Sequence, residues 1–154
     1  MTTTPKTIEY KGSFDEKFYY DRINRSLGWM GDNLDEQLDR QHKLKNITVG
    51  VAGTGGIGGS TAARLVRAGC LNIKIADIDN FDTSNIQRQM GAEISNLGRN
   101  KSQVVSEIIF GISGDCNIKA YTDGINAGNA EDFVNGCDII LDQIDVYAVD
   151  AQNA

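Results

Sequence analysis

The chain has 154 residues, 40% of them hydrophobic and 23% charged, which is enough for one soluble domain with a real core. A net charge of −6 argues against general binding to a nucleic-acid backbone, although local basic residues can still hold a nucleotide. No apolar run approaches the length of a membrane span and the opening residues MTTTPKTIEYKG carry no apolar leader segment, so the default expectation is a cytoplasmic protein with no membrane partner. Cys70, Cys116 and Cys137 are odd in number and far apart, with no C-x-x-C pair. That spacing supports neither a disulfide framework nor a zinc site, and small buried hydrophobe is the expected role.

Residues 1–14 are polar, contain the single proline Pro5, and are expected to form a loose tail. Over 15–45, Phe18, Tyr19, Ile23, Leu27, Leu34, Leu38 and Leu44 recur three and four apart among charges. The spacing predicts two amphipathic helices broken at 28–31, the second capped by Asp32 or Asn33. Trp29 and Met30, at the break, are expected to anchor on the core or on a partner. His42 stands among Arg40, Gln41, Lys43 and Lys45 and reads as an exposed helical histidine.

The third segment, 46–154, opens on NITVGVA, in which Ile47, Val49 and Val51 alternate with small or polar residues as in a strand. GTGGIGG follows at 53–59, then the helix-spaced STAARLVRAG, then a second strand, NIKIADID, ending in acids. This is one strand–turn–helix–strand unit around a phosphate-sized gap. Gly53, Gly55 and Gly58 fit G-x-G-x-x-G: a tight turn, an open approach for phosphate, and close helix–strand packing. The helix beginning near Ile57 aims unpaired N–H groups at the same gap. Asp77, about 20 residues on, is placed to accept hydrogen bonds from ribose hydroxyls. A ligand-free glycine turn is the rival reading, and the strand–helix–strand–acid context disfavours it.

Residues 80–101 form a long polar loop with one short helix expected around 86–90, and such loops at strand ends usually carry function. SQVVSEIIFG then predicts a helix with Val105, Ile108 and Ile109 inward. CNIKAYTD is a third strand, NAEDFVNG a short helix, and CDIILDQID a fourth strand whose continuous apolar centre predicts burial on both faces. The order predicts an α/β fold, a Rossmann-like doubly wound sheet, mainly parallel, preceded by helices. The last residues begin another helix, so the C-terminal part of the domain is expected to be missing: either the sequence is the N-terminal part of a longer protein, the favoured reading, or a partner chain completes the sheet.

The loop after Asp77 separates two chemistries. A hydride-transfer enzyme needs a ribose acid and a roomy nicotinamide pocket, but not Arg88 and Lys101 returning to the glycine loop. A triphosphate needs both, the arginine as a bidentate fork and the lysine as a point charge. Asp145, just past the fourth strand, reaches the same crevice. A carboxylate facing phosphates is costly without a cation between them, so Mg²⁺ is inferred as a bridge. Taken singly, Arg88 can equally pair with Asp82 or Asp79, and Lys101 can be a solvated lysine at a helix start.

GTGGIGG, ADIDNFDTSNIQRQ, GRNK and DIILDQID together resemble the ThiF/MoeB-type adenylyltransferases, the superfamily of the ubiquitin-activating enzymes. S-N-x-x-R-Q is the most specific of the shared elements. The resemblance implies that Gly53, Gly55, Gly56 and Gly58 form the nucleotide loop and that Asp77 holds the ATP ribose, with Asp79 of the same D-x-D also binding the cofactor. It further implies that Asn85, Arg88 and Gln89 surround the phosphates, that Lys101 neutralises them, and that Asp145 holds Mg²⁺. YYDRINRS resembles the family's R-Y-x-R-Q segment, implying that Arg22 enters a partner subunit's active site in a homodimer. The implied reaction is attack by the C-terminal carboxylate of a small carrier protein or peptide on the α-phosphate of ATP. Val146 stands where the family usually has asparagine after the later acid. Two alternatives stay open: an NAD-dependent oxidoreductase, and a non-catalytic scaffold half of an activating enzyme.

Overall fold

A computed structural model describes residues 7–145, which form one five-stranded sheet with helices on both faces. The elements are β1 (Thr7–Tyr10), α1 (Glu16–Leu27), α2 (Leu34–Asn46), β2 (Thr48–Ala52), α3 (Gly58–Ala68), β3 (Asn72–Ala76), α4 (Lys101–Ser113), β4 (Asn117–Tyr121), α5 (Ala130–Val134) and β5 (Ile139–Asp142). Strand order is β1-β4-β3-β2-β5. β2 to β5 run parallel, and β1 lies antiparallel to β4 with Thr7 opposite Tyr121. The α/β, mainly parallel sheet expected from the sequence is therefore present.

The period of two along the strands decides which side chains meet. Val49, Val51, Ile73, Ile75, Ile118 and Ala120 point to the face covered by α1, α3 and α4. There they join Ala62 and Val66 of α3, Val104, Val105 and Ile109 of α4, and Tyr19 and Ile23 of α1 in one core. The opposite face buries a smaller cluster, Ala52, Ala76, Tyr121 and Phe133. On that face Lys74 Nζ donates to the carbonyls of Asp132, Phe133 and Asn135, fastening the C-terminal end of α5 to the sheet.

Four local expectations differ from the structure. Part of the expected tail is β1, whose Ile8 and Tyr10 pack on the core despite its polar neighbours. The loop after β3 holds two 3-10 turns, Thr83–Asn85 and Ile94–Asn96, and no helix at 86–90. β5 is an edge strand among the described residues, with Ile139 and Ile140 47% and 42% exposed, where the apolar run predicted burial on both faces. Of the apolar positions in 15–45, Tyr19 and Ile23 are buried, whereas Phe18, Leu34 and Leu38 are exposed and Trp29, at 90% exposure, does not anchor on the core. The helix break itself lies where expected, and Asn33 caps α2 by accepting from the Glu36 N–H. The helix expected at 146–154 lies outside the described residues.

The N-terminal helices serve α3. Gly69, at φ 104°, ends α3 in the left-handed conformation and lets the Cys70 N–H reach the Leu65 carbonyl. Side chains from α1 and α2 donate to further carbonyls of that helix end. Arg22 Nη1 donates to Val66 O at 2.8 Å, Gln41 Nε2 to Ala68 O at 2.9 Å, and the Tyr19 hydroxyl to Gly69 O at 2.8 Å. A positive guanidinium also suits the negative end of the helix dipole.

Cys70 and Cys116 are buried and Cys137 is half-buried, all three as free thiols. Burial pushes each thiol up, Cys116 to about 11, so they remain protonated and behave as small hydrophobes.

Candidate functional site

The carboxyl ends of β2, β3, β4 and β5 open into one cleft of about 750 Å³. Its walls include Gly53, Gly55, Gly56, Gly58, Asp77, Asp79, Arg88, Gln89, Lys101 and Asp145. Residues from four separate stretches of sequence thus converge where ligands bind in open α/β sheets.

The glycine loop is built for close approach. Gly53, at φ 88°, turns the chain sharply out of β2. A Cβ on Gly58 would lie 1.9 Å from the Gly53 carbonyl oxygen and 3.3 Å from Val51 Cγ1, so α3 packs on its strand only because that side chain is missing. A Cβ on Gly55 would meet nothing nearer than Gln89 Nε2 at 3.6 Å. The protein itself leaves that side of Gly55 open. No acceptor among the described residues takes the N–H groups of Gly55, Gly56, Ile57 or Gly58. They are free donors at the positive end of α3.

These contacts separate two substitutions. Gly58→Ala is expected to cost about 1–3 kcal/mol of stability through overpacking, read as a lower urea midpoint. Gly55→Ala is expected to leave that midpoint nearly unchanged and to weaken nucleotide binding in calorimetric titration. Equal loss of stability in both would contradict this division of labour.

Asp77 is half-buried and largely committed to the loop. Its Oδ2 accepts from the Thr54 N–H at 2.7 Å and the Thr54 hydroxyl at 2.9 Å, and its Oδ1 accepts from the Asp79 N–H at 2.9 Å. Each oxygen can accept two hydrogen bonds, so one place remains on Oδ1. Asp79 projects outward and meets Lys101 Nζ at 3.0 Å. The lysine side chain is only 9% exposed and the carboxylate 65%, so the pair sits at the cleft wall with its acidic half in solvent.

Arg88 is exposed, and its guanidinium makes one hydrogen bond, from Nη1 to Ser84 O at 3.1 Å. It pairs with neither Asp82 nor Asp79, and its stem lies against Gly56. Gln89 is 93% buried beside Gly55, and its Oε1 has no hydrogen-bond partner. An unpaired buried acceptor is uncommon, and this one lies beside the glycine loop. Asp145, the last described residue, is exposed on the cleft and its carboxylate has no partner among the described residues.

Two expected site residues lie elsewhere. Asn85 is buried in a reciprocal cap: its Oδ1 accepts from the Asp82 N–H while the Asp82 carboxylate closes the same 3-10 turn. It shapes the loop and does not line the cleft. Arg22 is also absent from the cleft wall. Its Nε and Nη2 grip both oxygens of the buried Asp115 at 2.9 and 3.1 Å, and a third nitrogen caps α3. The structure uses this arginine inside the fold, against the expectation that it reaches a partner's site.

The sequence reading missed several wall residues, namely Ile78, Asp123, Gly124, Ile125 and Asp142 to Ile144. Their signal was positional, since each lies at or just past the carboxyl end of a strand. It also missed Asn100, whose side chain ties together three of the segments that form the cleft.

A mainly parallel α/β sheet with a glycine turn, an open helix N-terminus and converging basic side chains defines a Rossmann-like nucleotide-binding class of domain. The ThiF family model matches residues 27–152, and the chain belongs to the ThiF family. It is 36% identical over 114 residues to the probable adenylyltransferase/sulfurtransferase MoeZ of Mycobacterium tuberculosis, covering 74% of this chain and 29% of that protein. The crystal structure of Escherichia coli tRNA N6-threonylcarbamoyladenosine dehydratase, TcdA, in complex with ATP superposes with a TM-score of 0.73 at 25% identity, over 82% of this chain and 50% of that one. E. coli MccB, solved with AMPCPP and MccA, superposes with a TM-score of 0.67 at 25% identity, over 83% and 36% of the two chains. The chain thus spans under a third of the MoeZ protein it matches and about half of the TcdA chain.

Proposed function

We propose that this domain binds ATP in the cleft and adenylates a carboxylate, the C-terminus of a small carrier protein or peptide. The observation that carries the reading is the convergence of Arg88, Gln89 and Lys101 on a glycine loop whose amide groups at residues 55–58 have no acceptor among the described residues. That is a site for several phosphate charges, more than a dinucleotide's pyrophosphate requires. The adenylyltransferase name of MoeZ, the ATP bound to TcdA, and the pairing of MccB with MccA support the same class of chemistry.

In this reading the free amides of residues 55–58 and the two basic side chains fix the triphosphate. The acceptor carboxylate oxygen forms a bond to the α-phosphorus while the bond from that phosphorus to the pyrophosphate oxygen breaks. The protein neither gives nor takes a proton. Its work is positioning and charge stabilisation. Asp79, largely in solvent, and the remaining acceptor place on Asp77 are the groups offered to ribose hydroxyls.

No group of three or more His, Cys, Asp or Glu suited to a metal ion occurs among the described residues. The unpartnered Asp145 fits Mg²⁺ arriving with the triphosphate, because that ion takes one or two carboxylates and completes its shell with phosphate oxygens and water. Asp145 would hold it, and the ion would neutralise charge on the phosphates. A homodimer and a cytoplasmic location belong to the same proposal. No helix among the described residues is long and apolar enough to cross a membrane.

Calorimetric titration of the full-length protein separates this reading from a dehydrogenase. ATP with Mg²⁺ is expected to bind, and NADH to fail to displace it. Tight NADH binding that excludes ATP would overturn the proposal.

A further inference from the structure

The loop between β3 and α4 brings Arg88, Gln89 and Lys101 to the cleft, yet it contains only two short 3-10 turns. Something must hold its two ends together. A lone bridge joins Asn80 to Asn100, with Lys101 N–H donating to Asp79 O at 2.8 Å and Phe81 N–H to Arg99 O at 2.9 Å. The Asn100 side chain then works in both directions. Its Oδ1 caps α4 by accepting from the Gln103 N–H at 3.1 Å, and it also accepts from the Ser102 hydroxyl at 2.7 Å. Its Nδ2 donates to the carbonyls of Asp77 at 3.0 Å, Asp79 at 3.2 Å and Thr122 at 3.1 Å. The orientation of the amide follows from chemistry, because the reverse would set its oxygen against three carbonyl oxygens and its NH₂ against an N–H.

We infer that Asn100 is a positioning residue for phosphate binding: its amide rivets the ends of β3 and β4 to the first turn of α4 and so sets where Lys101 Nζ stands. The inference rests on the reading that Lys101 meets the phosphates of ATP. Asn100 itself is absent from the cleft wall, so it acts through its neighbour. A side chain that only capped α4 would need the oxygen alone. The three carbonyl contacts lie on the two segments that flank Lys101, which is where control of the lysine's position is required.

The test is a double-mutant cycle on the full-length protein, with ATP and inorganic tripolyphosphate as separate titrants. Asn100→Ser keeps a good helix cap and removes the three carbonyl contacts. It is expected to weaken both titrants about tenfold in the native background and to have no further effect once Lys101→Met is present. Asn100→Thr also keeps a cap, adds no charge and lacks the amide, so it must show the same pattern if the serine variant fails to fold. Unchanged affinity in the native background, or equal weakening in both backgrounds, would reduce Asn100 to a structural cap and overturn the inference. If Lys101→Met weakens binding while the Asn100 variants do not, only this inference fails. If Lys101→Met leaves ATP affinity intact, the phosphate role of the lysine fails and this inference fails with it.

Discussion

Lys101→Ala is expected to lower ATP-dependent turnover about 10²- to 10³-fold, the usual cost of removing one preorganised charge from a site where negative charge is handled. The fold should survive. The ammonium group's one ion-pair partner among the described residues is Asp79, whose side chain is 65% exposed and can return to water, so no charge is left buried without a partner; the buried lysine stem gives up some packing. Arg88→Ala should behave alike, since the guanidinium gives up one hydrogen bond, to the Ser84 carbonyl. A dehydrogenase would respond differently, because its cofactor affinity would survive loss of either side chain. Turnover and urea midpoint measured side by side decide the matter. Losses below tenfold, or a matching collapse of stability, would place both residues outside the chemistry.

The second large effect is on stability. Arg22→Leu and Asp115→Leu, each alone, are expected to destabilise the fold by about 3–5 kcal/mol, because each strands a charge that its partner had compensated. Asp115 is 2% exposed and accepts from Arg22 Nε, Arg22 Nη2 and the Ser113 hydroxyl. Arg22→Lys should fail to restore stability, since an ammonium cannot grip both carboxylate oxygens and cap α3 at once. The double substitution to leucine should lose less than either single one, because it leaves no buried charge unpaired. Denaturation followed by circular dichroism provides the measurement. A native urea midpoint for Asp115→Leu would show that the pair holds nothing together, and would reopen the expectation that Arg22 serves a partner's site.

The legible and illegible parts of this chain divide along physical lines. The strand–glycine–helix–strand unit could be read because its signals are local: alternation in β2, the spacing of Gly53, Gly55 and Gly58, and Gly69 at the end of α3. The cleft could be read in part because Arg88 and Lys101 are chemically out of place in an ordinary loop. Tertiary context hid the remainder. Thr7–Tyr10 is a strand because β4 offers it an edge, which no local pattern announces. Arg22 has the sequence surroundings of a functional arginine, but its neighbour Asp115 lies 93 residues away and only the fold joins them. Asn85 and Gln89 lie in one motif, yet one closes a turn and the other faces the glycine loop, a difference set by backbone direction. The apolar run of β5 predicted burial from composition alone, whereas exposure depends on which strands lie beside it.

The central claim is that this cleft activates a carboxylate by adenylation. Exchange of labelled pyrophosphate into ATP, measured on the full-length protein with a panel of carrier proteins and peptides ending in a free carboxylate, tests it most directly. Label is expected in ATP, dependent on one of those acceptors and lost with Asp145→Ala. Tight ATP binding with no exchange for any acceptor would contradict that claim and point to a scaffold that retains the nucleotide fold without the chemistry.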